Sequence, residues 1–410
     1  MSGHGPGEAT ITAGARRPLS ANERAVIDRI PIPALREPFE RLWRLKIRLQ
    51  FTGWLQYVPP ALILLALLAI AGLAQLLGIG PVAVIFAVGG AVLLALEVFD
   101  LITVKFRIRP PEPRPGRLDD LGAFDLLRAR RSCRSFQTRK LMPADRDELL
   151  EAVRRHLSDG RIGTGAIRLE FVSEKLTVWP TVNASEFLVA IAPVEYDKLA
   201  VIDVGRTLER VVADATRMGL GTCWIGPGAD QRSIQQHLGD RFDPARDHII
   251  CVCAVGYRSW FVPLFIRVFN ARFSQRRKSL DQLFFTDPGL RAALDVEAPP
   301  FDRFGRTFEV CQWAPSSYNG QTTRGVAVTD GSRLARVDFY QSMESRYYGP
   351  VAAGIFCAHW EMGCEALGIA GHVGVLPAAR RDDEQPAPGL IYDVSWVPDT
   401  RAPAEAGAAQ

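Results

Sequence analysis

At 410 residues and 48% apolar content, the chain has enough material for two or three compact units with packed cores. The net charge of +4 is modest, but Arg41, Arg44, Lys46 and Arg48 bunch before the longest apolar stretch, and Lys105, Arg107, Arg109, Arg114 and Arg117 follow it. That distribution suits a membrane face and argues against nucleic acid as a partner. Seven scattered cysteines, none in a Cys-x-x-Cys pair, suit a reduced cytosolic setting and disfavour zinc.

Residues 1–30 are rich in Gly, Ala and Arg without periodicity, so disorder is expected there. Residues 34–50 suit a short basic amphipathic helix on a membrane surface, within an N-terminal region ending at residue 53. Residues 54–104 are almost wholly apolar, broken only by Gly78-Ile79-Gly80-Pro81, which favours a tight turn. Pro60–Leu77 and Val82–Val104 each approach the roughly 20 residues that cross about 30 Å of hydrocarbon. So short a turn joins antiparallel neighbours, which predicts a transmembrane hairpin. Both outer flanks are basic, which by the positive-inside rule puts both termini in the cytoplasm. Glu97 and Asp100 share a face of the second span; they are expected to meet lysine or arginine at its cytoplasmic end, with a quinone-access site as the alternative.

The linker 105–117 contains Arg109-Pro110-Pro111-Glu112-Pro113-Arg114-Pro115, predicted to be an extended polyproline spacer. Beyond it the pattern is α+β. Helices are predicted at Asp119–Arg130, at Asp145–Leu157 with a capping box Asp145-x-x-Glu148, and at Tyr196–Met218 closed by Gly219. Ile167–Val172, Glu186–Ala192 and Ile249–Val255 read as strands. The helix ending in Met218-Gly219-Leu220-Gly221 is echoed by Val351–Gly368, which predicts two copies of one unit, at 118–286 and 287–400, before a disordered tail at 401–410.

Three segments stand out. In Arg130-Arg131-Ser132-Cys133-Arg134-Ser135-Phe136, an extended backbone sends Arg130, Ser132 and Arg134 to one side, where they can converge on a phosphate. The second is Gly219-Leu220-Gly221-Thr222-Cys223-Trp224-Ile225-Gly226, and the third Ala314-Pro315-Ser316-Ser317-Tyr318-Asn319-Gly320-Gln321. Each alone is weak: a solvated basic cluster, a helix C-cap and an ordinary turn would look alike. In order and in context, they resemble the FMN-dependent nitroreductase superfamily over the soluble part of the chain.

The resemblance implies a nitroreductase-like fused pseudo-dimer behind the hairpin, monomeric through its internal pairing. It implies FMN held at the phosphate by Arg130, Ser132 and Arg134, with Arg277 adding a contact from Arg276-Arg277-Lys278. Gly226 and the loop residues Pro315, Ser316, Ser317 and Asn319 would face the ring. The phosphate segment occurs only in the first half and the loop only in the second. One flavin site between the halves is therefore expected.

By the same resemblance, NADH or NADPH passes hydride through FMN to a small-molecule acceptor such as a nitroaromatic or quinone, the chemistry belonging to the cofactor. No side chain is expected to be catalytic and no metal site is apparent; His359 and His372 read as packing or surface residues and Trp224 as core. Pro227 after Gly226 and Gln321-Thr322-Thr323 depart from the family pattern. They leave open a non-catalytic flavin- or ligand-binding protein, or a flavin dehydrogenase or deiodinase-like enzyme, because fold alone does not select the chemistry.

Overall fold

The computed structural model describes residues 27–226, 228–273, 276–381 and 386–399. Pro227, most of the expected disordered N-terminus and the tail 401–410 lie outside these. Residues 1–55 and 56–410 form separate compact units. In the first, helix α1 (Pro33–Phe51) begins at a proline, whose fixed φ suits a first turn. Its polar side carries the i,i+4 pairs Glu37–Arg41 (2.6 Å) and Glu40–Arg44 (2.7 Å), while Phe39 stacks on Trp43.

The second unit opens with α2 (Val58–Leu76) and α3 (Gly80–Asp100), which runs on through a π-helical turn, Leu101–Lys105. Gly78 makes the bend at φ +73°, a conformation L side chains rarely adopt. Gly90 lets Leu68 of α2 approach to 3.2 Å of where a Cβ would stand. Both helices are long and apolar enough to cross a membrane, and only 17% of each apolar window is buried, whereas a core helix would be largely covered. Asp100 accepts a hydrogen bond from the backbone N–H of Leu264 (2.6 Å), with Arg267 beside it. Asp100 thus has the expected arginine beside it, with a backbone amide as an added donor, while the charged neighbour of Glu97 is Asp100 itself.

The proline-rich run is free of helix and strand but is no loose spacer. Arg109 and Glu112 form a buried ion pair (3.4 Å), and Glu112 also accepts from Trp260 N–H (2.5 Å) and Ser259 Oγ (3.1 Å). Gln137 Nε2 donates to Pro113 O (2.8 Å). A carboxylate taken out of water needs such donors, so the run is strapped to the body. A fragment beginning at Arg117 should be less stable than one beginning at Arg107 by on the order of 1–3 kcal/mol, the value of a charged hydrogen bond or two. Identical chemical denaturation midpoints would show the strap to be passive.

Helices α4 (Ala123–Ala129) and α5 (Pro143–Ser158) precede the first sheet. The capping box fails because α5 starts earlier, at a proline: Asp145 instead accepts from the Tyr257 hydroxyl and Glu148 pairs with Arg117 at 2.8 Å. Strands β1 (Arg168–Val172), β2 (Glu186–Pro193), β3 (Gly221–Ile225) and β4 (Asp247–Gly256) form an antiparallel sheet in the order β1-β2-β4-β3. Between them lie α6 (Lys198–Arg217) and α7 (Gln231–Leu238), and α8 (Leu264–Phe273) follows. After β5 (Phe284–Phe285) and α9 (Arg306–Gln312), the second sheet runs β5-β6-β7-β9-β8, with β6 (Thr323–Asp330), β7 (Arg333–Gln341), α10 (Tyr348–Ala366), β8 (Gly371–Gly374) and β9 (Ile391–Pro398).

The order β1-β2-β4-β3 recurs as β6-β7-β9-β8, and each set brackets one long helix. These helices, α6 and α10, cross at two glycines: a Cβ on Gly205 would collide with Val351 O and one on Gly354 with Ile202 O. Gly219 and Gly368 close them with left-handed φ of +78° and +68°. Both pairs share one offset in sequence, the mark of a repeated unit. The halves are further locked by Arg206–Glu361 (2.6 Å) and Arg210–Glu365 (2.6 Å). β5 leaves the first half to pair in parallel with β6, burying Phe284 among Phe308, Phe356 and Trp360 of the second.

Candidate functional site

Residues 130–137 run extended along the first sheet. Cys133 N–H bonds Thr222 O (2.7 Å), Val182 N–H bonds Arg134 O (2.9 Å), and Gln137 N–H bonds Tyr257 O (2.9 Å). The close approach requires Gly221, where a Cβ would stand 2.7 Å from Cys133 Cβ and 2.8 Å from Arg258 Cγ. The first and second sequence segments are therefore packed against each other. Arg130 is only 3% exposed, its Nε 3.6 Å from Glu209 Oε1, and Arg134 Nη1 donates to Asn270 Oδ1 of α8 (2.5 Å).

Around this run stands a group of arginines. Burial first, then the neighbouring Arg130 and Arg131, pull Arg277 down to about 10. Burial is also the main cause that lowers Arg130 and Arg131, with Arg258 close to both. Buried Nε atoms of Arg130, Arg258 and Arg277 have no hydrogen-bond partner among the described residues. Arg131 and Arg277 lie 4.7 and 5.6 Å from the Trp313 ring. Glu209 offsets Arg130 and Arg277, but one carboxylate is outnumbered by guanidinium groups. Desolvated like charges with unmet donors fit a doubly charged anion such as a phosphate monoester.

The third segment reaches the same place from the second half. Arg277 Nη1 donates to Ala314 O (2.9 Å), Asn319 Nδ2 to Arg276 O (2.8 Å), and Gln321 Oε1 accepts from Lys278 N–H (2.7 Å). Ser316 Oγ accepts from Gln321 N–H (2.9 Å), Ser317 O accepts from Gly320 N–H (3.0 Å), and Tyr318 and Asn319 both have left-handed φ near 50°. Pro315 and Ser316 line a pocket with Leu283, Gln321, Thr322 and Thr323. Gly226, exposed at the end of β3, would place a Cβ 3.3 Å from the Tyr348 ring, and Tyr348 and Tyr318 lie within electrostatic reach of each other.

Arg130 and Arg277 thus stand together with the 314–321 loop bonded beside them, Ser132 and Arg134 lie on the same extended run as Arg130, and Gly226 meets Tyr348. Sequence reasoning missed Arg258, Glu209 and Tyr348. Arg258 follows the apolar β4 run, and Tyr348 opens the α10 echo; Glu209 had no local signal. Glu209 is fully buried and accepts from Trp224 Nε1 (3.0 Å) and His359 Nε2 (3.0 Å), while His359 Nδ1 faces Val310 O (2.8 Å). His359 is a packing residue, as read from the sequence. His372 is exposed and pairs with Asp399 (3.0 Å).

Residues 123–363, more than half of the chain, match the family described as "Putative TM nitroreductase". Among solved structures, a "putative nitroreductase" from Thermotoga maritima is 16% identical, with 71% of this chain and 97% of that chain covered at a TM-score of 0.41. A nitroreductase family protein from Clostridium novyi is 19% identical, covering 34% of this chain and 87% of its own at a TM-score of 0.29. A nitroreductase with bound FMN from Bacteroides fragilis is 16% identical, covering 33% and 88% at 0.28. No curated protein matches the chain. The chain belongs to this nitroreductase family, and two long apolar helices precede the family's fold.

Proposed function

We propose that the protein is a membrane-anchored FMN oxidoreductase that takes hydride from NADH or NADPH and delivers it to a nitroaromatic, quinone or similar acceptor. The observation that carries this reading is the group of Arg130, Arg258 and Arg277, whose buried Nε donors are unmet, with Arg277 bonded to Ala314 O in the loop of the other half. Bound there, FMN would supply the ring that accepts and returns the hydride. The chain's own work is to hold the phosphate with Arg130, Ser132, Arg134 and Arg277, and to bring Gly226 and residues 315–319 against the ring. The hairpin is the anchor, with both termini cytoplasmic by the positive-inside rule.

One flavin per chain is the matching proposal, with units at 118–286 and 287–400 pairing internally. The position equivalent to Tyr348 in the first half is Leu199, and there Gly163 is packed so closely that a Cβ would stand 2.7 Å from Leu199 Cβ. Asp203 pins that loop by accepting from Ile162 and Gly163 N–H (3.0 and 2.9 Å). At the start of the second half, Arg306 pairs with Asp125 on the surface (2.6 Å).

FMN affinity should depend on pH at both ends. Below about 6 the phosphate gains a proton and loses half its charge. Above about 10 Arg277, already lowered, loses its own. Equilibrium dialysis from pH 5 to 11 should show a plateau falling on both sides; affinity independent of pH would remove the phosphate from the cluster.

A second reading, a flavin-binding protein without turnover, is favoured by the Asn319 amide donating to Arg276 O instead of facing a ring. Steady nicotinamide oxidation by FMN-loaded protein in detergent, with a quinone and with a nitroaromatic, decides between them. Flavin binding without turnover by either nicotinamide supports the second.

A further inference from the structure

The foot of the soluble body carries an apolar patch that the hairpin does not cover. Phe99, Ile102, Phe106 and Ile108 leave the second span exposed, and Trp260 and Val268 beside them are 72% and 59% exposed. Trp260 is held in place by its backbone: its N–H donates to Glu112, which Arg109 also pairs. Phe261 packs on Phe99 (6.2 Å) and beneath Arg109 (5.2 Å), and Leu264 N–H caps Asp100. The first turn of α8 is therefore fixed at the end of the apolar span. Lys105, Arg107, Lys175 and Arg267 border this foot, with Lys105 within electrostatic reach of Lys175 and Arg107.

An exposed tryptophan continuous with a membrane span and rimmed by basic residues matches the chemistry of the lipid headgroup region, where an indole is amphipathic and cations meet anionic lipid. We propose that Trp260 and the exposed flank of α8 at Val268 form a further, shallow contact with anionic phospholipid beside the hairpin. The body then rests on the bilayer, consistent with the strapped linker, which leaves no slack for a spacer. From Leu264 to Asn270, the partner of Arg134, α8 rises about 9 Å. The arginine cluster thus stands a short helix away from the end of the span, close to where a lipid-soluble acceptor would arrive.

This inference rests on the hairpin being membrane-embedded, and the test separates the two. The seven native cysteines are all buried, so full-length Trp260→Cys, Val268→Cys and Val88→Cys chains can each carry one environment-sensitive fluorophore in vesicles of phosphatidylcholine and phosphatidylglycerol. Wild-type protein reports background labelling. Spin-labelled lipids with the quencher near the headgroup or near the chain end then read depth. The label at 88, on the exposed face of α3, should lose fluorescence to the deep quencher. Labels at 260 and 268 should lose it to the shallow one, less so in phosphatidylcholine alone. Quenching at 88 with none at 260 and 268 overturns the contact and leaves the hairpin standing. No quenching at 88 overturns the anchor itself and the contact with it.

Discussion

Arg134→Glu is expected to leave the protein essentially free of FMN. Arg134 lies on the extended run with Arg130 and Ser132, held by Asn270, in a region already crowded with positive charge. Near a protein surface, unit charges at contact distance interact by about 4 kcal/mol, so reversing the sign exchanges an attraction of that size for a repulsion. Even a fraction of that change lowers affinity by several powers of ten. Arg134→Gln, which keeps a donor and loses the charge, should show a smaller loss of one to two powers of ten, on the order of 1.5–3 kcal/mol. Both variants should melt near the wild-type temperature when apoproteins are compared. Flavin content per chain after gel filtration is the readout, and wild-type content in Arg134→Glu would take this segment out of the binding site.

Glu209→Ala should have the largest effect on stability. The carboxylate is fully buried where α6 crosses α10, accepting from Trp224 and His359 and lying 3.6 Å from Arg130. Without it the ring nitrogens of Trp224 and His359 lose their shared buried partner, and Arg130 loses its counter-charge. Removing one member of a buried ion pair costs about 3–5 kcal/mol because the partner charge is left uncompensated. The apparent melting temperature in detergent should fall by on the order of 10 °C. The loss of the charge offsetting Arg130 by itself favours an anion at the cluster, so the expected loss is in stability and not in attraction for the phosphate. A melting curve that overlays the wild type would show the carboxylate to be a bystander.

What the sequence made legible was local. The hairpin is a continuous apolar run, and its turn is written in Gly78, Gly80 and Pro81. Residues 130–136, 219–226 and 314–321 could be singled out because each packs its chemistry into one stretch. The echo between α6 and α10 was visible in their glycine-ended termini, and the fold adds the crossing glycines Gly205 and Gly354 at the same offset. What could not be read depends on partners far away. Glu209 is one acid in an amphipathic helix until Trp224 and His359 converge on it, and Arg258 joins the cluster only because β3 and β4 pair. The proline run declares an extended backbone but not the surface on which it lies; Glu112 reveals its role only against Ser259 and Trp260. The Asp145-x-x-Glu148 pattern misled for a related reason, since Pro143 starts the helix and frees both acids for tertiary partners.

The central claim is that one FMN sits between the two halves of each chain and is reduced there by a nicotinamide. Detergent-purified protein, loaded with FMN and freed of excess, can be titrated anaerobically with NADH or NADPH while the flavin absorption band is followed and the released flavin counted. The expected result is one FMN per chain, bleached in proportion to added nicotinamide and restored by a quinone or nitroaromatic. A count near two per chain would contradict the single interface site, and a band untouched by either nicotinamide would contradict the proposed oxidoreductase.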